Sequence, residues 1–101
     1  MGMFVTISSY LAKDGEEDAI IALHEDWERT QRWQAQGYIS GELLRNCKNT
    51  RAFIAILRFE NRESAQAYRL AREQDGWYQR LLSLSEKVLP DIDYMSEWQS
   101  H

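Results

Sequence analysis

With 101 residues and a formal net charge of −4, the chain reads as one domain around one core, residues 1–101, and its acidic balance argues against a nucleic-acid partner, whose phosphates select a basic surface. Its single cysteine, Cys47, excludes an intramolecular disulfide and a cysteine-rich zinc site, and fits a reducing cytoplasm. No apolar stretch approaches the roughly 20 residues that span a bilayer, so no membrane partner is expected. Four Trp, five Tyr and three Phe in so short a chain call for a full core, a ligand pocket or an interface.

The first predicted strand is Met3 to Leu11, with Met3, Val5, Ile7 and Leu11 on one face and Phe4, Thr6, Ser8 and Tyr10 on the other. The N-terminus carries no basic region followed by an apolar signal core, so no secretory signal is expected. Gly2 and Thr6 fit the loose myristoylation pattern, but the strand-like run explains Thr6 better. Lys13-Asp14-Gly15 is a turn, and Glu16, Glu17 and Asp18 follow in the first turn of a helix whose dipole favours acids there. Ile20, Leu23, Trp27 and Thr30 recur at helical spacing with His24 at the margin, and Gly37 is expected to stop this helix near Gln36. Glu25 and Arg29 are placed to pair on its solvent face.

Tyr38 to Cys47 and Arg51 to Glu60 form a predicted hairpin. Asn61 caps a second helix with Ala65, Tyr68, Leu70 and Ala71 as its apolar positions. Gln74-Asp75-Gly76 breaks it, and a further segment carries Trp77, Leu81, Leu84 and Val88 until Pro90 stops it. Asp91 to Trp98 is the last strand, with Ile92, Tyr94 and Trp98 on one face. The order βαββαβ is the ferredoxin-like arrangement of an α+β domain, a four-stranded antiparallel sheet with both helices on one face. The third strand has no polar side: Phe53, Ala55, Leu57 and Phe59 alternate with Ala52, Ile54 and Ile56. An antiparallel strand usually turns one face to water. Here the face away from the helices needs a cover, most simply a second copy of the chain.

Certain runs resemble the antibiotic biosynthesis monooxygenase domain family. Gly37-Tyr38-Ile-Ser-Gly41-Glu42-Leu43-Leu44-Arg45 is similar to that family's second strand. Leu57-Arg-Phe-Glu60, leading through Glu63-Ser64-Ala65 to Tyr68, is similar to its third strand and second-helix entry. The resemblance covers about Met3 to Trp98. It implies a dimeric α+β barrel, two sheets packed face to face, with ligands held between helices and sheet. The family includes cofactor-independent quinone-forming monooxygenases and haem-degrading oxygenases. Matched position by position, the haem branch's strand Asn falls on Ser8 and its helix Trp on Tyr68. Its His has no counterpart, since no histidine lies between His24 and His101. No haem and no other cofactor is therefore expected.

Direct oxidation of a phenol or quinol by dioxygen needs an aromatic pocket, a proton acceptor and donors for the resulting anion. Trp27, Tyr68, Trp77 and Tyr78 supply candidate walls, and Ser8 sits on the helix-facing side of the first strand. His24 is the only internal side chain with an ordinary pKa near neutrality, which nominates it as the acceptor. Each of these residues has a plainer reading: the aromatics as core, His24 as a hydrogen-bonded helix residue, and Arg45, Arg58 and Arg69 as structural cations. His101 is expected to be disordered. Two distant histidines and one cysteine make no metal site. The expectation is a homodimeric, cofactor-independent monooxygenase of a small aromatic or quinol-like compound. Its rivals are a non-catalytic ligand-binding module and a small-lactone isomerase or lyase on the same scaffold.

Overall fold

The computed structural model describes residues 3–100; Gly2 and His101 lie outside the described residues. Strand β1 (Phe4–Ala12) alternates as its sequence dictates. Phe4, Thr6, Ser8, Tyr10 and Ala12 are buried, and the residues between them are half-buried. It pairs antiparallel along its length with β3 (Ala52–Phe59), which pairs in turn with β2 (Tyr38–Arg45). The register places Phe53, Ala55, Leu57 and Phe59 on the same side as Tyr10, Ser8, Thr6 and Phe4.

Three helices cover that side: α1 (Glu17–Thr30), α2 (Arg62–Glu73) and α3 (Gly76–Leu84). Ile20 of α1 meets Leu81 and Leu84 of α3 over Tyr10, Phe53 and Ala55. Trp27 meets Ala65 and Tyr68 of α2 over Phe4, Leu57 and Phe59. Asn61 caps α2 as expected, accepting a hydrogen bond from the Ser64 amide at 2.8 Å. Asp75 caps α3 by accepting from the Trp77 amide, so the expected break is the start of a separate helix.

Four local expectations are corrected. Helix α1 ends at Thr30, not near Gln36, and a single 3₁₀ turn, Arg32–Gln34, follows it. Gly37 therefore does not stop the helix. Its φ of +77° turns the chain into β2, and any Cβ there would collide with the Ser64 side chain at the start of α2. Leu70 faces solvent, 67% exposed, because the inward stripe of α2 runs through Ala65 and Tyr68. Arg29 pairs with Asp26 rather than Glu25, while Glu28 takes Arg32 at 2.6 Å.

The C-terminal edge differs most from expectation. Helix α3 stops at Leu84, and Ser85–Val88 is a strand, β4, rather than more helix. Leu81, Leu84 and Val88 fit a helical stripe in sequence, but Ser85 turns extended, its hydroxyl donating to the Leu81 carbonyl at 2.8 Å. Strand β5 (Ile92–Met95) then continues along the same edge of β1, so five strands fill four positions, and Trp98 lies beyond them, 83% exposed. Val88 stands opposite Tyr10 while Ile92 stands opposite Ile7. Four steps on one strand thus match three on the other, a bulge around Pro90, which has no amide to donate to the ladder. The bulge brings Asp91 opposite Ser8, on the helix side.

The other sheet face is bare. The register puts Leu44, Ile54, Ile56, Ile7, Ile92 and Tyr94 on it. Ile56, not Leu57, is the residue of that neighbouring pair that faces away from the helices. In the single chain Leu44, Ile54, Ile92 and Tyr94 are 42%, 41%, 54% and 50% exposed. Among the described residues no helix is long and apolar enough to cross a membrane.

Candidate functional site

Between the helices and the sheet lies a cavity of about 30 Å³. Ser8, His24, Trp27, Tyr68, Trp77 and Tyr78, the six residues nominated from the sequence, all line it. Such a space holds a water or two, far short of the roughly 300 Å³ at which small-molecule pockets begin. The aromatic side chains around it pack on one another. Trp27 meets Tyr68 edge-on with ring centroids 5.6 Å apart and lies 6.4 Å from Trp77. Trp77 stacks on Tyr78 at 6.2 Å and meets His24 edge-on at 5.5 Å. The Trp77 indole N–H is committed to the Leu23 carbonyl at 3.0 Å, which fixes that wall to α1.

His24 points inward, one turn after buried Ile20. Its Nδ1 lies 2.9 Å from the Ile20 carbonyl oxygen, which can only accept, so Nδ1 carries the proton. Nε2 is then the lone-pair nitrogen, and the Tyr10 hydroxyl, 2.5 Å away, donates to it. Burial holds the imidazole below its ordinary pKa, against the opposing pull of the Ile20 carbonyl. His24 is thus a neutral imidazole whose one acceptor is occupied by Tyr10. Burial pushes the Tyr10 phenol well above its usual range, and the Tyr68 phenol up to about 12 although the Arg72 charge opposes it.

A second polar group meets the cavity from the sheet edge. Asp91, with 8% of its side chain exposed, accepts from Ser8 Oγ at 2.8 Å, Arg72 at 2.8 Å and Arg69 Nε at 3.2 Å. Arg69 also reaches Asp93 at 2.6 Å and Thr6 Oγ1 at 3.0 Å. The structural reading of Arg69 therefore holds. Arg45 and Arg58 also pair, at 3.9 Å with Glu17 and 3.6 Å with Glu42.

The sequence reading missed Tyr10, Arg72 and Asp91. Tyr10 had a signal, since it shares the helix-facing side of β1 with Ser8. Arg72 had a weaker one, standing one helical turn after Tyr68. Asp91 had none, because its partner Ser8 is 83 positions away in sequence.

Two surface grooves adjoin this cavity. One, of about 590 Å³, runs between the end of α1 and α2 and shares Trp27, Tyr68 and Arg72 with the cavity. The other, of about 420 Å³, lies between α1 and β2 and shares His24, Trp27, Ala55 and Leu57 with it. Side chains shared by groove and cavity separate a closed space from an open one by a single layer.

The residues present do not fit a haem. His24, the one histidine among the described residues, has both ring nitrogens engaged, and Ser8 and Tyr68 stand at the two other positions matched above. No cluster of three or more His, Cys, Asp or Glu side chains with metal-binding geometry occurs among the described residues.

No protein-family model matches the chain, and no curated protein matches it. Solved structures do. A protein described as a putative antibiotic biosynthesis monooxygenase from Bordetella bronchiseptica superposes with a TM-score of 0.79 at 17% identity, over 99% of this chain and 100% of that one. One described in the same words from Deinococcus radiodurans gives 0.79 at 10% identity, over 97% and 96%. SnoaB from Streptomyces nogalater, a cofactor-independent oxygenase, gives 0.70 at 15% identity, over 96% and 95%. Identities this low speak for backbone and not for chemistry. The chain has the ferredoxin-like α+β fold of the antibiotic biosynthesis monooxygenase domain.

Proposed function

We propose that the chain is a homodimeric, cofactor-independent monooxygenase of a small aromatic or quinol-like compound, bound between helices and sheet. One observation carries this reading: Ser8, His24, Trp27, Tyr68, Trp77 and Tyr78, each nominated for phenol chemistry by sequence position, converge on one buried space. A phenol oxidised to a quinone supplies all four electrons that dioxygen takes up. One oxygen atom enters the ring and the other leaves as water, so no external reductant is required. In this reading the aromatic walls position the ring. His24 receives the phenolic proton at Nε2, either through the Tyr10 hydroxyl or after displacing it. The dimer forms through the bare sheet face, whose half-exposed Leu44, Ile54, Ile92 and Tyr94 make a surface unsuited to water. The fold shared with SnoaB, itself an oxygenase, supports the reading without carrying it.

The test is oxygen uptake by the chelator-treated protein with a panel of phenols and hydroquinones. At least one should be consumed faster than its spontaneous oxidation, and His24→Ala should lower that rate by about 10²–10⁴-fold with the dimer intact. Uptake no faster than without protein across the panel would refute it.

A second reading has one observation in its favour. The two acceptors at the cavity are already engaged, His24 Nε2 by Tyr10 and the Asp91 carboxylate by Ser8, Arg69 and Arg72, and the closed cavity is the size of a water rather than of a substrate. A non-catalytic module that opens to bind an aromatic ligand shows that same arrangement. In that case ligands bind, His24→Ala alters affinity, and no oxygen is consumed.

A further inference from the structure

Three side chains line both the outer groove beside α2 and the buried cavity: Trp27, Tyr68 and Arg72. Arg72 is the charged one. It stands where the groove meets the closed space, with only 11% of its side chain exposed. One terminal nitrogen donates to Asp91 at 2.8 Å. Its Nε is buried and has no hydrogen-bond partner. The guanidinium lies over the Tyr78 ring, 4.5 Å from its centroid, and 5.9 Å from that of Tyr68. Stacking of this kind fixes the plane of an arginine, so the direction of its free N–H is set in advance.

Asp91 does not account for the whole residue. It also accepts from Ser8 and from Arg69, and Arg69 has Asp93 as a further partner. The carboxylate is therefore engaged from three directions, while Arg72 retains an unused donor. A buried donor left unpaired costs free energy. A residue needed only to hold Asp91 would be served by one N–H. An arginine that keeps Nε unpaired beside a cavity is suited to an oxygen arriving from that cavity.

We propose that Arg72 recognises an acidic oxygen, a carboxylate or an ionised phenol or enol, on an aromatic ligand that enters through the groove between the end of α1 and α2. Nε and the remaining guanidinium donors grip that oxygen while Trp27 and Tyr68 hold the ring. This rests on the reading that the cavity binds an aromatic ligand, and it does not depend on turnover. It adds what the aromatic walls alone leave open: a preference for rings carrying negative charge, in a protein whose own net charge is −4.

Two probes of matched shape test it, 2-naphthoate and 2-methylnaphthalene, titrated into the full protein while the buried Arg72 Nε–H resonance is followed by NMR. Naphthoate should bind at least about tenfold more tightly and shift that resonance, as a charge-assisted pair requires. Arg72→Gln should erase the preference and leave methylnaphthalene binding in place. Equal affinities in the unaltered protein would overturn the role of Arg72 and leave the aromatic cavity standing. A preference that survives Arg72→Gln would put the anion elsewhere. Binding of neither probe would refute the cavity and the inference together. If Arg72→Gln does not fold, the response of the Nε–H resonance in the unaltered protein decides alone: no shift on naphthoate binding overturns the proposal.

Discussion

Replacing Ile54 by Lys should dissociate the proposed dimer and spare the protomer. Ile54 lies on the central strand β3, on the bare face, opposite Ser9 of β1 and Leu44 of β2. It is 41% exposed in the single chain, close to Leu44 at 42%, Tyr94 at 50%, Ile92 at 54% and Leu89 at 45%, whose amide donates to the carbonyl of Ser9 on that same stretch of β1. Full burial of such a side chain contributes ~1.5–3 kcal/mol, so covering the exposed half of each contributes about 1 kcal/mol. Over both protomers these positions supply about 10 kcal/mol, against an association cost of ~4–15 kcal/mol. Half-buried Val5, Ile7, Leu11 and Ile56 add to the favourable side. The balance is close enough that one charge decides it. Each introduced ammonium would be stranded at the interface at a cost of several kcal/mol. Two copies at ~3 kcal/mol weaken the dimer by about 10⁴-fold. Sedimentation equilibrium over a dilution series, with far-UV circular dichroism, measures both halves of the claim. Leu57→Lys is the contrast: Leu57 faces the helices at 9% exposure, and a charge there should unfold the chain. An unaltered protein that is monomeric and folded at tens of micromolar would refute the reasoning, as would an Ile54→Lys dimer of undiminished affinity.

Tyr10→Phe leaves His24 Nε2 without its donor and should cost about 1–3 kcal/mol in urea unfolding, less if a water enters the cavity. His24 is held below its unfolded pKa, so as pH falls through 6.5 the unfolded chain takes up a proton that the folded chain does not. Stability should therefore drop between pH 7 and 5, and His24→Gln should flatten that part of the profile. Gly37→Ala combines a left-handed backbone with a collision against Ser64, and should lower the melting temperature clearly more than alanine at Gly15, where φ is also positive but the space is open.

The sequence made legible whatever is written in local alternation. The two faces of β1 and β3, the cap at Asn61 and the bare sheet side all follow from residues next to one another in the chain. The line between Ile56 and Leu57 did not, since both are apolar and only the pairing with Ile7 and Thr6 assigns their faces. The β4 segment was misread because Leu81, Leu84 and Val88 satisfy a helical period and a helix-to-strand junction alike. The aromatic half of the site was legible, as large rings at helical spacing announce themselves. The polar half was not. Asp91 acquires its place from a bulge at the sheet edge, and Arg72 acquires its meaning from Asp91 and Tyr78. Such groups are defined by tertiary contact and leave no periodic trace.

The protonation states of the site point to where its acidity must come from. At pH 7 the depressed pKa of His24 leaves it neutral, while burial keeps Tyr10 and Tyr68 protonated to well above pH 9. None of these three changes charge between pH 7 and 9. The cavity thus presents hydrogen-bond donors, an Arg72 guanidinium paired with Asp91, and two acceptors already in use, His24 Nε2 and the Asp91 carboxylate. In the proposed reaction His24 is therefore a neutral base that is ready throughout this range. For a series of phenols of graded acidity, kcat/KM should stay flat from pH 7 until each phenol begins to ionise, and any change beyond that should follow the phenol's own acidity. His24→Ala should lower the flat part most, because a phenol that is already ionised has no proton left to give. One midpoint common to all substrates between pH 7 and 9 would refute this: it would mean that a group other than His24, Tyr10 and Tyr68 supplies the base, and that the Tyr10–His24 pair opens during turnover into something other than the closed arrangement described above.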